Sequence, residues 1–131
     1  MLKDLTEVAR QTKYPIDAFL FVQRGLDFTV RQIHGEAPTD RQETAETTSR
    51  HVSGQALCTG LRDFAIQQYG LLARSVLRHW RINTTEDFGR IVFAMVEAGL
   101  MHKTADDTVR DFLDVYDFSD TFGPSLQLSG S

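Results

Sequence analysis

The sequence predicts a mainly helical α+β domain: a helical bundle whose C-terminal half ends in a short β-hairpin. Three observations lead there. Apolar residues recur at helical spacing from Ile16 to Ile33 and again from Leu57 to Val96. Glycines stand where three of these runs should stop, at Gly35, Gly70 and Gly99. Beyond Gly99 the helical spacing is lost, and two short segments flank the turn-like Ala105-Asp106-Asp107. A chain of 131 residues with 41% apolar residues and nine Phe suits one domain with a real core.

Each element has its own signals. Leu2 to Gln11 reads as a short helix with Leu5 and Val8 on one side, broken at Tyr14-Pro15. A second helix starts behind Pro15, with Asp17 in its first turn, and runs Phe19, Val22, Leu26, Val30, Ile33 along its apolar stripe. Residues 1–35 are thus the N-terminal helices. Residues 36–50 contain no large apolar side chain and read as a flexible loop with nothing to bury. Ser53 is placed to cap a third helix whose inner face is Leu57, Leu61, Phe64, Ala65 and Gln68 or Tyr69. Gly60 inside it reads as a close-packing point.

A fourth helix follows with Leu72, Val76, Leu77 and Trp80 inward, then the turn Arg81-Ile82-Asn83. Thr84 or Thr85 caps a fifth helix facing inward with Phe88, Ile91, Val92, Met95 and Val96. Asp87 sits three residues after Thr84, an acidic variant of the capping box, and Gly99 supplies a left-handed stop. Leu100 to Thr104 reads as a strand. Arg110 to Phe118 reads as a second strand or a helical turn, and 119–131 as a loose tail.

The net charge is −4, unevenly spread: +1 over residues 1–35, −2 over 36–50, +2 over 51–103 and −5 over 104–131. That balance argues against attraction of the whole domain to nucleic acid or anionic lipid. One cysteine, Cys58, excludes an intrachain disulfide and reads as an inert, partly buried thiol. No window holds the roughly 20 apolar residues that a membrane crossing needs. With no basic-then-apolar start, the chain reads as soluble and cytoplasmic.

Two charged sets stand out. Arg74, Arg78 and Arg81 fall on one side of the fourth helix, where they suit an acidic partner or phosphates. Asp111, Asp114 and Asp117 recur every third residue in the acidic C-terminal piece and suit a basic partner. They lack the order of a calcium loop. His34, His51, His79 and His102 lack zinc-helix spacing, and nothing demands a cofactor or catalysis.

The stretches His51-Val52-Ser53-Gly54-Gln55, Gly60-Leu61-Arg62-Asp63-Phe64-Ala65, Tyr69-Gly70, Thr85-Glu86-Asp87-Phe88-Gly89, Glu97-Ala98-Gly99-Leu100 and Asp111-Phe112 through Phe118 resemble a conserved uncharacterised protein family of planctomycete and verrucomicrobial bacteria. The resemblance covers roughly residues 5–122 and implies no catalytic residue. More loosely, residues 51–118 look like a winged-helix domain, three helices followed by a hairpin. Its recognition-helix equivalent carries Glu86, Asp87 and Glu97 against one Arg90, the wrong sign for a DNA reader. The expectation is therefore a noncatalytic protein-interaction module, its partner another protein or a second copy. The alternative is a DNA- or RNA-binding regulator using Arg74, Arg78 and Arg81.

Overall fold

The computed structural model describes residues 4–34, 52–101 and 109–122. The expected loop at 36–50, the Gly35 stop, the Ala105–Asp107 turn and the tail beyond Phe122 lie outside the described residues. The elements in chain order are α1 (Leu5–Arg10), α2 (Ile16–His34), α3 (Gly54–Tyr69), a 3-10 turn (Gly70–Leu72), α4 (Ala73–His79), α5 (Thr85–Glu97), a second 3-10 turn (Val109–Phe112) and α6 (Phe118–Phe122). One buried cluster draws side chains from every helix, with Phe19, Leu61, Leu77, Phe88, Ile91 and Met95 fully buried.

The caps explain the boundaries. Asp4 accepts the Glu7 N–H at 2.9 Å to start α1, and Ser53 accepts the Ala56 N–H at 3.1 Å to start α3. Thr84 and Asp87 form the expected capping box at α5. Two helices end in the same six-residue motif. At α5 the Leu100 N–H reaches the Met95 carbonyl at 2.8 Å around Gly99, whose φ is 81°. At α4 the Ile82 N–H reaches the Leu77 carbonyl, also at 2.8 Å, around Arg81 at φ 68°. Ile82 and Leu77 are both fully buried, which supplies the apolar contact of this motif.

α2 and α3 make the largest helix–helix contact. They approach closely because each offers a glycine: a Cβ on Gly25 would meet the Leu61 side chain, and one on Gly60 would meet Thr29. Thr29 is tolerated inside the contact because its hydroxyl donates to the Gly25 carbonyl at 2.7 Å. The buried face of α2 therefore runs through Ala18, Phe19, Val22, Gly25 and Thr29, and Ile33, expected inside, is half exposed. An aromatic ladder joins the helices, with Phe21 tilted against Phe64 at 5.4 Å and Trp80 at 5.5 Å, and Phe88 against Phe118 at 5.7 Å.

The β-hairpin, and with it the wing of a winged-helix plan, is corrected. Among the described residues there is no strand. Leu100 and Met101 form a bend after α5, and His102 to Thr104 lie outside the described residues. Where the second strand was expected, the chain forms a 3-10 turn and then α6, which also replaces the start of the loose tail. The reason is how the backbone is satisfied, by a distant side chain and by tight turns. The buried Thr85 hydroxyl donates to the Phe112 carbonyl at 2.6 Å and accepts from the Val115 N–H at 3.1 Å. The Leu113 N–H closes a turn onto Arg110, and Asp117 accepts the Ser119 and Asp120 N–H groups at the start of α6. Phe112, Val115, Tyr116 and Phe118 do not alternate, so a strand would leave part of this apolar set in water.

Asp87 does more than cap. Its buried carboxylate accepts the Tyr14 hydroxyl, the Asn83 N–H at 2.8 Å and the Thr84 N–H at 3.1 Å, with Lys13 Nζ at 3.8 Å on the outside. Removing the Tyr14 hydroxyl strips this buried carboxylate of one of its donors. Tyr14→Phe is expected to lower unfolding free energy by about 2 kcal/mol in urea titration. Lys13→Ala, which removes only a half-exposed ion pair, should change it by less than about 0.5 kcal/mol.

Candidate functional site

The structure separates the three arginines. Arg74 and Arg78 stand on α4, and Arg81 lies beyond its end in the left-handed turn residue. Arg74 is turned inward, its guanidinium 5.6 Å from the Phe118 ring centroid, with Nε and Nη1 buried and without hydrogen-bond partners among the described residues. It is a packing side chain between α4 and α6. Arg78 and Arg81 are exposed and make no ion pair among the described residues. Arg90, on α5, is held by Glu86 one turn away. Of Arg74, Arg78 and Arg81, the set the nucleic-acid alternative needs, Arg78 and Arg81 stay exposed, and among the described residues α5 is a core helix whose one arginine pairs with Glu86.

The three aspartates do not form a stripe either. Asp111 is half buried in the second 3-10 turn against Gly54, where a Cβ would come within 2.9 Å of it. Asp114 is exposed in a left-handed turn at φ 49°. Asp117 is the cap of α6, and Asp120 is exposed one turn on. Leu113, 44% exposed, sits among them. Their spacing of three comes from two tight turns and a cap.

The corner between α3 and α4 carries a signal that the charge pattern alone did not give. Leu71 is 80% exposed, and Leu72 and Ile66 are each 44% exposed. Leu72 was expected to face inward. The 3-10 turn after Gly70, at φ 54°, rotates both leucines outward before α4 resumes with buried Ala73 and Leu77. The α4 edge is thus apolar at its start, with exposed Leu71 and Leu72, and basic at its far end, with exposed Arg78 and Arg81. α4 also packs on α6, the helix that bears exposed Asp120, through Arg74 and the Phe118 ring.

Cys58 is fully buried, and burial pushes its thiol up to about 12 from an ordinary value of 9.0. The Tyr116 hydroxyl donates to the Cys58 carbonyl at 2.6 Å, and burial raises that phenol as well. Burial and the Asp87 carboxylate raise Tyr14 in the same direction. Among the described residues no three His, Cys, Asp or Glu side chains converge to hold a metal ion, and no helix is long and apolar enough to cross a membrane. His51 and His102 lie outside the described residues, and His79 is exposed. An open groove of about 510 Å³ runs along the outer seam of α2 and α3, lined by Gln23, Arg24, Asp27, Phe28, Arg31, Phe64 and Gln68. No family model, curated protein or solved structure matches the chain.

Two outcomes follow from this geometry. The Cys58 proton is held more tightly in the folded state, so its contribution is complete below pH 9 and is lost as pH rises from 9.0 towards about 12. Unfolding free energy should fall with a slope approaching about 1.4 kcal/mol per pH unit per raised group. In Cys58→Ala the fall should begin about one unit higher, where the tyrosines start to titrate. Denaturant titration at pH 8, 9, 10 and 11 reads the slopes. Separately, Arg81→Gly relieves a side chain in a left-handed position and should raise unfolding free energy by about 1 kcal/mol.

Proposed function

We propose that this chain is a noncatalytic protein-interaction module whose partner is a second copy of itself. The carrying observation is the α4 edge, with Leu71 80% exposed and Leu72 44% exposed at its start and exposed Arg78 and Arg81 at its end. Large side chains this exposed, rimmed by charge, mark contact surfaces. The neighbouring segment offers the complement: Leu113 with exposed Asp114 and Asp120. A two-fold arrangement sets each basic edge against the partner's acidic one and uses both pairs at once.

Arg81 supports this reading. It occupies a left-handed backbone position, φ 68°, where glycine is less strained than arginine. A charged side chain held against that cost makes sense as part of a surface that contacts something.

Sedimentation velocity across a concentration series tests the proposal. Association is expected in low salt and should weaken in about 0.5 M salt, where charge pairs are screened. Leu71→Asp and Arg78→Glu should each leave a monomer with unchanged Tm. Arg78→Asp mixed with Asp120→Arg should recover association that neither shows alone. A chain that stays monomeric at every concentration and salt overturns the reading.

A further inference from the structure

The groove along α2 and α3 is independent of the α4 edge. Its floor is Phe28 and Phe64, half-buried rings with centroids 5.3 Å apart and tilted 42° to one another. Phe64 is fixed from beneath by Phe21 at 5.4 Å, and Gly25 brings α2 close to Leu61 and Phe64. The floor is therefore built into the core and does not rely on mobile surface side chains. Arg24, Asp27 and Arg31 line the rim from successive turns of α2, with the Gln68 amide opposite on α3.

The rim has two cations and one anion. Arg31 meets Asp27 at 3.3 Å in a pair whose side chains are 56% and 63% exposed, a geometry that contributes little and exchanges readily. Arg24 has no ion pair among the described residues. We propose that this groove binds an acidic peptide segment of another protein, one apolar side chain resting on Phe28 and Phe64 while flanking carboxylates meet Arg24 and Arg31. Planar guanidinium groups suit carboxylates by two parallel hydrogen bonds. The volume of about 510 Å³ accommodates one large side chain and its neighbours. The chain's own acidic stretch at 36–50 has no large apolar residue to serve as the anchor.

Single-stranded nucleic acid fits less well. The tilted, half-buried rings offer no flat face for a base to stack on.

The test uses the full chain, labelled with nitrogen-15, and a blocked five-residue peptide with a central phenylalanine between two pairs of glutamates. Titration should move the amide signals of Arg24, Phe28, Phe64 and Gln68. Arg24→Glu, at an exposed position, should weaken the response by about fivefold or more while Tm is unchanged. Phe28→Ala should remove it. A peptide with lysines in place of the glutamates should leave the signals in place. The proposal is overturned if the groove signals do not move, if the lysine peptide moves them equally, or if a single-stranded oligonucleotide moves them more strongly. Movement on raising the protein concentration alone would assign the groove to a second copy and overturn it as well. Signals that respond only around Leu71 and Arg78 would do the same, while leaving self-association through that edge intact.

Discussion

The first turn of α5 holds both ends of the described chain. Thr85 and Asp87 are buried polar side chains two residues apart, and each is fully engaged. Asp87 receives the Tyr14 hydroxyl from the turn before α2, and Thr85 fastens the Phe112–Val115 turn. A buried carboxylate or hydroxyl is tolerable only when its hydrogen bonds are made. These two side chains therefore dictate where segments 73 and 27 residues away must dock. The same turn caps its own helix through the Asn83 and Thr84 N–H groups, so helix start and tertiary contact are one structure.

Small residues give the rest of the chain room to close around that turn. Gly25 and Gly60 let α2 and α3 approach, while Gly54 and Gly89 leave space for the Phe112 ring, which a Cβ at either would crowd to within 2.9 and 2.7 Å. Phe112, with Phe93 edge-on at 6.0 Å, seals the C-terminal segment onto α3 and α5. Each glycine weakens its own helix by about 1 kcal/mol relative to alanine. The compensation is a close backbone approach that no other residue permits.

With the core closed in this way, two exposed faces stand out among the described residues that neither the glycine contacts nor the α5 turn require. One is the α3–α4 corner, where the 3-10 turn aims Leu71 outward next to unpaired charge. The other is the outer seam of α2 and α3, where Phe28 and Phe64 reach the surface from the aromatic ladder. Arg74 illustrates how the fold withdraws a residue from such a surface. It shares a helix face with Arg78 in the sequence pattern, yet α6 covers it, and its charge rests on Phe118.

Much of the fold was legible in the residues. Helical periodicity placed the five principal helices, and local chemistry placed their ends: Ser53, the Thr84–Asp87 box and Gly99 act within one turn of their own positions, so a linear reading suffices. The close-packing role of Gly60 was legible from its position on a helix face, and Cys58, expected partly buried, is fully buried. Candidate surface charges were legible only as a pattern. Which of them stay exposed depends on what packs above them, as Arg74 and Asp117 show. Tertiary structure decided the path after α5: the broken alternation of Phe112, Val115 and Tyr116 disfavours a strand without naming the turn, which is set when the Thr85 hydroxyl claims the Phe112 carbonyl and the Val115 N–H. It alone joined Tyr14 to Asp87 and Phe28 to Phe64. Such pairings rest on long-range closure, where the free energy lies in burial and in hydrogen bonds between distant residues, and no local spacing encodes either.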